Sequence, residues 1–305
     1  MRAARKALVI GIGGGGDVVG ALATAIMCEQ LGTPAVLGGI TWERRPVDPV
    51  PGPRSPDEIE NAQPIAPAVL LAGPETRTST GAVFAESRMA RLRGEPTLLV
   101  DVGQGPRAIA EGLEEAARVL EADIAFLIDV GGDVLGQGSE PGLASPLCDA
   151  VVLAAGALLA RRGIDVVAGV FGPGCDGELT DEELLDRVAR LAGDGGLLAV
   201  TGMPPDVADT LDRACAEIPT EASAQAVRCA RGEIGTTFIR SGRRQVELSP
   251  LGALTFYFDA EIAVDGVARL AREVIGAGDL EEANALLHGL GVRTELDYER
   301  SMAER

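Results

Sequence analysis

Apolar residues along this chain fall into short runs separated by stretches of helical period. Residues 7–11 (ALVIG) form the first run, and 18–31 repeat apolar positions at helical spacing until Gly32, which predicts a buried strand followed by a crossover helix. Further strands are predicted at 35–40, 66–72, 97–100, 124–129, 165–171 and 197–200. Helices are predicted at 82–92, after Pro106, at 145–161 and behind Thr180-Asp181-Glu182-Glu183, a sequence with capping-box spacing. The rhythm changes near 236. Two polar-alternating runs around Ser241-Gly242 read as a hairpin, 254–264 (LTFYFDAEIAV) as one more strand, and 266–275 and 279–290 as helices ahead of a charged tail.

Strands alternating with helices specify an α/β fold: a three-layer, doubly wound, mostly parallel sheet with a C-terminal hairpin and helix subregion. Residues 1–235 are read as the α/β domain, and 236–305 as the subregion packed on the same domain without a linker. Residues 41–56 (TWERRPVDPVPGPRSP) hold five prolines and the only tryptophan, so they cannot be regular structure. A long irregular segment at the carboxyl end of a strand reads as a lid or binding loop, which makes Trp42, Glu43, Arg44 and Arg45 candidates for ligand contact.

The first strand breaks on Gly13, Gly14, Gly15 and Gly16, then Asp17 opens the helix. Such a corner brings a ligand against backbone N–H groups and the positive end of a helix dipole. Gly11-x-Gly13-x-x-Gly16 fits the dinucleotide fingerprint, but the first acid after the second strand is Glu43, beyond the offset for a ribose-binding carboxylate. Asp17 would cap the helix itself and repel a pyrophosphate, and no Gly-Lys-Ser/Thr follows, which argues against nicotinamide or flavin and excludes a P-loop.

A net charge of −19, from 46 acidic and 27 basic residues, disfavours nucleic acid and anionic membranes as partners, because the long-range field repels both. Lys6 is the only lysine, which leaves Schiff-base chemistry almost no candidate. No apolar run reaches the length of a membrane span and no signal peptide is evident, so a cytoplasmic protein is expected. Homo-oligomerisation is expected on general grounds. Five cysteines without C-x-x-C spacing indicate neither a zinc site nor a disulfide frame. His288, the only histidine, sits before Gly289 near a helix end, where it caps rather than catalyses, so no Ser-His or Cys-His machinery is expected.

The chemistry therefore falls to carboxylates. Loops after parallel strands share one edge, which places Asp17, Glu43, Asp101, Asp129, Asp133 and Asp176 near one another. Acids gathered in one cleft raise one another's pKa or hold a cation. Asp129 and Asp133, separated by Val130, Gly131 and Gly132, are the candidate catalytic pair, and with Asp17 the candidate ligands of a hard cation, Mg2+ or Ca2+. Cys175 in GPGCDGE is a weaker candidate nucleophile. Arg44, Arg77, Arg107 and Arg240 are candidates to clamp an anionic substrate group.

Four separated motifs, GIGGGGDVVGA, GGITWERRPVDPVPGPR, LIDVGGDVL and TELDYER, resemble those of the family labelled domain of unknown function 1152, from residue 11 to 300. The resemblance transfers no activity. It does imply that the loops and the ELDYER segment belong to one architecture, with Glu295, Asp297, Glu299 and Arg300 closing the same cleft. The leading expectation is an enzyme, a hydrolase or lyase acting on a ribosyl or nucleoside-like small molecule. The alternatives are a nucleotide-dependent transferase with phosphates on Gly13–Gly16, and a non-catalytic ligand-binding or assembly protein.

Overall fold

The computed structural model describes residues 4–45 and 47–304. In chain order the strands and helices begin β1 (Ala7–Gly11), α1 (Asp17–Gln30), β2 (Ala35–Ile40), β3 (Ile59–Ala66), β4 (Val69–Thr78), α2 (Ala85–Arg93), β5 (Thr97–Val100) and α3 (Gly105–Leu120). They continue with β6 (Ile124–Val130), α4 (Pro146–Ala160), β7 (Asp165–Phe171), α5 (Asp181–Gly193), β8 (Leu197–Gly202), α6 (Pro205–Glu217) and α7 (Glu221–Ala230). The last part holds β9 (Gly235–Ile239), β10 (Arg244–Leu248), β11 (Leu254–Asp259), α8 (Ala260–Gly266), α9 (Arg269–Val274), α10 (Leu280–Gly289) and α11 (Glu295–Ala303).

The fold is α/β, a nine-stranded sheet in the order β3-β4-β5-β2-β1-β6-β7-β11-β8 flanked by helices. The central five strands, β5 to β7 in that order, are all parallel, and their near-continuous apolar composition fits burial on both faces. One core lies between the sheet and α3, α4, α8, α9 and α10; the other lies between the sheet and α1, α2, α6 and α7. Helix α4 (PLCDAVVLAAGALLA) is apolar almost all round because it is wedged between the sheet and the layer of α3, α8 and α9. No helix among the described residues is long and apolar enough to cross a membrane.

The structure departs from the expected strand pattern at both edges. The run 66–72 is not one strand: the chain turns at Pro67 and Ala68, the latter in the left-handed region at φ 57°, and joins β3 to β4 antiparallel. Pro64 is tolerated in β3 because that strand is an edge. At the other side β11 enters the main sheet antiparallel between β7 and β8, so residues 236–305 supply a strand of the sheet itself. Only the hairpin β9–β10 stands apart as its own two-stranded sheet. The strand expected over 254–264 stops at Asp259, whose carboxylate accepts from the Ile262 N–H at 2.9 Å and starts α8.

If β11 is integral, Phe258→Ala, which empties a fully buried site, costs about 3–5 kcal/mol in denaturant unfolding. A chain ending at residue 235 shows no cooperative transition. Cooperative unfolding of that shortened chain would contradict the integrated sheet.

Candidate functional site

The chain leaves β1 through α1 toward β2 on one side, whereas β6 and β7 extend the sheet on the other. The topological switch point therefore lies between β1 and β6, and open α/β sheets bind ligands at the carboxyl ends of strands beside such a point. Asp17 is the first residue of α1, Asp129 ends β6 with Val130, and Asp133 starts the 3-10 turn that follows. Asp149 stands in the first turn of α4, while Asp176 and Glu178 come from the loop after β7. Carboxylate oxygens of Asp17, Asp129 and Asp149 lie within 4.8 Å of one another, and those of Asp133, Asp176 and Glu178 do likewise. Five of these acids are at most 5% exposed, and Asp17 is partly open to solvent.

Glycine makes this crowding possible. A Cβ on Gly13 would sit 2.6 Å from Asp17 Oδ2 and 3.1 Å from Asp149 Oδ2, so only a bare backbone lets both carboxylates fold over it. The Gly13 N–H instead donates to Asp17 Oδ2 at 2.9 Å. Asp17 is thus not the helix cap expected from sequence; Gly16 takes that position with no side-chain cap. Gly131, at φ 121°, has a conformation that side chains rarely adopt, and its Cβ would fall 2.1 Å from Asp176 Cγ. The close approach expected across Gly131 and Gly132 is therefore made by Asp176 and, at Gly132, by Leu184. Gly14 and Gly15 are covered by Trp42 and Arg44, and Gly16 by Thr220.

Burial, opposed by the Gly13 N–H and Arg44, pushes Asp17 up to about 7; burial and the neighbouring Glu178 push Asp176 up to about 7. Asp129, Asp133 and Asp149 are raised well above the usual carboxylate range, first by burial and then by neighbouring acids: Asp17 and Asp176 act on Asp129, Asp149 and Glu178 on Asp133, and Asp129 and Asp17 on Asp149. Glu178 behaves oppositely. Burial pushes it up, but Arg244 at 2.5 Å, the Ser145 hydroxyl and the Ala144 N–H at 2.7 Å together hold it below its ordinary value. Two buried oxygens in the group, Asp133 Oδ2 and Asp149 Oδ1, have no hydrogen-bond partner among the described residues. A buried polar atom left unpaired ordinarily costs about 1–3 kcal/mol, which makes both atoms calls for an absent partner.

Helix α11 closes one wall. Glu295 accepts from the Leu147 and Cys148 N–H groups at 3.1 and 2.9 Å, occupying the positive end of α4, and pairs with Arg44 at 3.3 Å. Glu299 accepts from Trp42 Nε1 at 3.0 Å and from the Gly52 N–H at 2.9 Å. The Arg44 guanidinium stacks 4.2 Å over the Trp42 ring and donates to the Gly13 carbonyl oxygen. Trp42, at the start of the proline-rich segment, is fully buried and forms part of this wall. Asp297 and Arg300 face away, bonded to His288 at 2.7 Å and to Glu281.

Other candidates are not brought into the acid group. Glu43, raised to about 7 chiefly by burial, accepts from the Ala85 N–H at the start of α2 and sits beside buried Glu86. Asp101 accepts from the Gly103 N–H at 2.9 Å and Gln104 Nε2 at 3.1 Å in a cap of its own. Arg77 lies on β4, paired at 3.0 Å with Glu60, and Arg107 is exposed on α3. Cys175 is buried against Cys229; hydrogen bonding to that thiol and burial raise its pKa, which removes it as a nucleophile. Sequence reasoning missed Asp149, Glu178 and Arg244. Asp149 did carry a signal, being the one charged residue in an otherwise apolar helix.

The chain belongs to the family described as Protein of unknown function (DUF1152), whose profile matches residues 8–303. Neither the curated proteins nor the solved structures provide a match.

The raised carboxylates set a pH dependence. Unfolded, Asp17 and Asp176 release protons near 4; folded, they keep them until about 7, so with cations removed by EDTA stability declines as pH rises between those values. Calorimetry from pH 5 to 8 should show this fall, amounting to a few kcal/mol. Asp17→Asn should flatten the profile, and an unchanged slope in that variant would contradict the assignment.

Proposed function

We propose that this chain is a hydrolase or lyase acting on a ribosyl or nucleoside-like small molecule at the acid cluster, with a divalent cation, Mg2+ or Ca2+, bound there. The observation that carries the reading is the pair of buried carboxylate oxygens without partners, Asp133 Oδ2 and Asp149 Oδ1, in a group of acids at the switch point of the sheet. The donor set fits such an ion: it is all carboxylate, with neither imidazole nor thiolate, which suits hard oxygen-seeking cations over zinc or copper.

Asp17, Asp129 and Asp149 would hold the ion, Asp17 from the side open to solvent. A cation so bound would supply Lewis acidity and lower the pKa of its water. Asp133, whose proton affinity is raised by burial and its neighbours' charge, can pass a proton to a leaving group, and Asp176, pushed up to about 7, can accept one from water. Carboxylates also accept hydroxyl hydrogen bonds from a ribose and stabilise a developing oxocarbenium charge. Phosphates seated on Gly13–Gly16 are less well supported, because the Gly13 and Gly15 N–H groups already donate to Asp17 and to the Trp42 carbonyl.

Thermal-shift titration with Mg2+, Ca2+ and Mn2+ tests the reading, alongside a hydrolysis screen of ribosides. At a cation concentration near 100 times Kd the wild type gains about 2.7 kcal/mol, a rise of several degrees in Tm. Asp149→Asn loses most of that rise and the turnover with it. Equal shifts in wild type and variant would overturn the cation site.

A further inference from the structure

A cavity of about 300 Å³ opens between the β9–β10 hairpin and the starts of α4 and α11, lined by Arg240, Arg243, Arg244 and Arg293 together with Ser145 and Tyr298. Four guanidinium groups around one hollow are unusual in a chain carrying −19. Arg244 is committed to an acid, Glu178 at 2.5 Å, and to the Asp176 carbonyl at 3.2 Å. Arg243 has neutral partners: it donates to the Tyr298 hydroxyl at 2.6 Å and to the Arg240 carbonyl at 2.9 Å, and lies 5.9 Å from the Tyr298 ring centre. Among the described residues, the guanidinium groups of Arg240, Arg243 and Arg293 have no carboxylate oxygen within 4.0 Å, whereas those of Arg187 and Arg231 on the same molecule each hold two. Arg240 and Ser241 form the hairpin turn at φ 52° and 57°. The Arg240 N–H is pinned there by Glu221 Oε2 at 2.8 Å.

We infer that this cavity is the phosphate subsite of the cleft, and that the substrate is a small phosphate monoester whose phosphate sits among Arg240, Arg243 and Arg293. A monoester near neutral pH carries about −1.5 to −2 charges and three strong acceptor oxygens, which matches several uncompensated planar forks better than a carboxylate does. The negative field of the whole chain repels a polyanion, so the ligand is a metabolite and not a nucleic acid. The position relative to the acids gives the ligand its direction. Ser145 and Arg244 line the cavity and both contact Glu178, while Glu295 lines it and holds Arg44 beside Gly13. A phosphate in the cavity would therefore direct the rest of the molecule past Glu178 toward the acid group. The identification of this ligand as the substrate rests on the function proposed above; the anion site itself does not.

The test uses the full chain in EDTA, with inorganic phosphate and ribose 5-phosphate as probes and chloride at matched ionic strength as control. Phosphate should raise the Tm of the wild type, and ribose 5-phosphate should bind at least tenfold more tightly than ribose in calorimetry. Arg240→Ala and Arg293→Ala, both at exposed residues, should each weaken ribose 5-phosphate about tenfold or more and leave ribose unchanged, while Arg213→Ala on α6 has no effect. Equal phosphate shifts in wild type and the Arg240→Ala/Arg293→Ala double variant, or ribose binding as tightly as its phosphate, would overturn the subsite. Asp149→Asn separates the two proposals: it should abolish the cation shift and keep phosphate binding, so the failure of one is read independently of the other.

Discussion

Six carboxyl groups from five segments are gathered at the carboxyl end of a parallel sheet, and five of them are almost wholly removed from water. That is the costly feature around which the rest is arranged, since burying charge without compensation is among the largest penalties a fold can carry. The chain lowers it in three ways. It anchors one member, Glu178, with Arg244 and the last two amides of the loop leading into α4. It ties Asp17 to the Gly13 N–H. Burial and the neighbouring charges raise the proton affinity of Asp129, Asp133 and Asp149, which lessens the charge they carry where no cation is bound. Two oxygens of the group, Asp133 Oδ2 and Asp149 Oδ1, still lack a partner among the described residues.

The walls around the group follow from the same constraint. Glu295 and Glu299 come from the charged C-terminal segment, yet both are buried, because one neutralises the start of α4 and Arg44 while the other fixes Trp42. The result is an enclosed group of acids of which Asp17 is the member most open to solvent. Beyond the acids lies the arginine-lined cavity, so negative and positive surfaces adjoin across Glu178, Ser145 and Arg244. A ligand with an anionic end and a polyol end would find complementary surroundings at both.

Much of this was legible in the amino-acid sequence, for identifiable reasons. Parallel strands carry their following loops to one edge, so Asp17, Asp129, Asp133 and Asp176 could be grouped from the strand pattern alone. The same rule overreached for Asp101. It follows β5, two strands away from β1, or roughly 10 Å at the spacing of neighbouring strands, and it is satisfied locally by Gly103 and Gln104. Glu43 follows β2, next to the switch point, but is drawn off by the first amide of α2. Asp149 was hidden because its position depends on how α4 docks, which is a tertiary fact; only its isolation in an apolar helix hinted at it. The insertion of β11 between β7 and β8 was hidden for the same reason, since an apolar strand run carries no information about which neighbour it will pair with.

The central claim, that the acid group at the switch point is a cation site, is tested most directly by anomalous diffraction from crystals soaked in Mn2+. The account predicts a strong peak bounded by carboxylate oxygens of Asp17, Asp129 and Asp149, at roughly 2.2 Å from each as expected for a hard divalent ion. Saturating Mn2+ that gives peaks only on surface carboxylates, with none among these three residues, would contradict it.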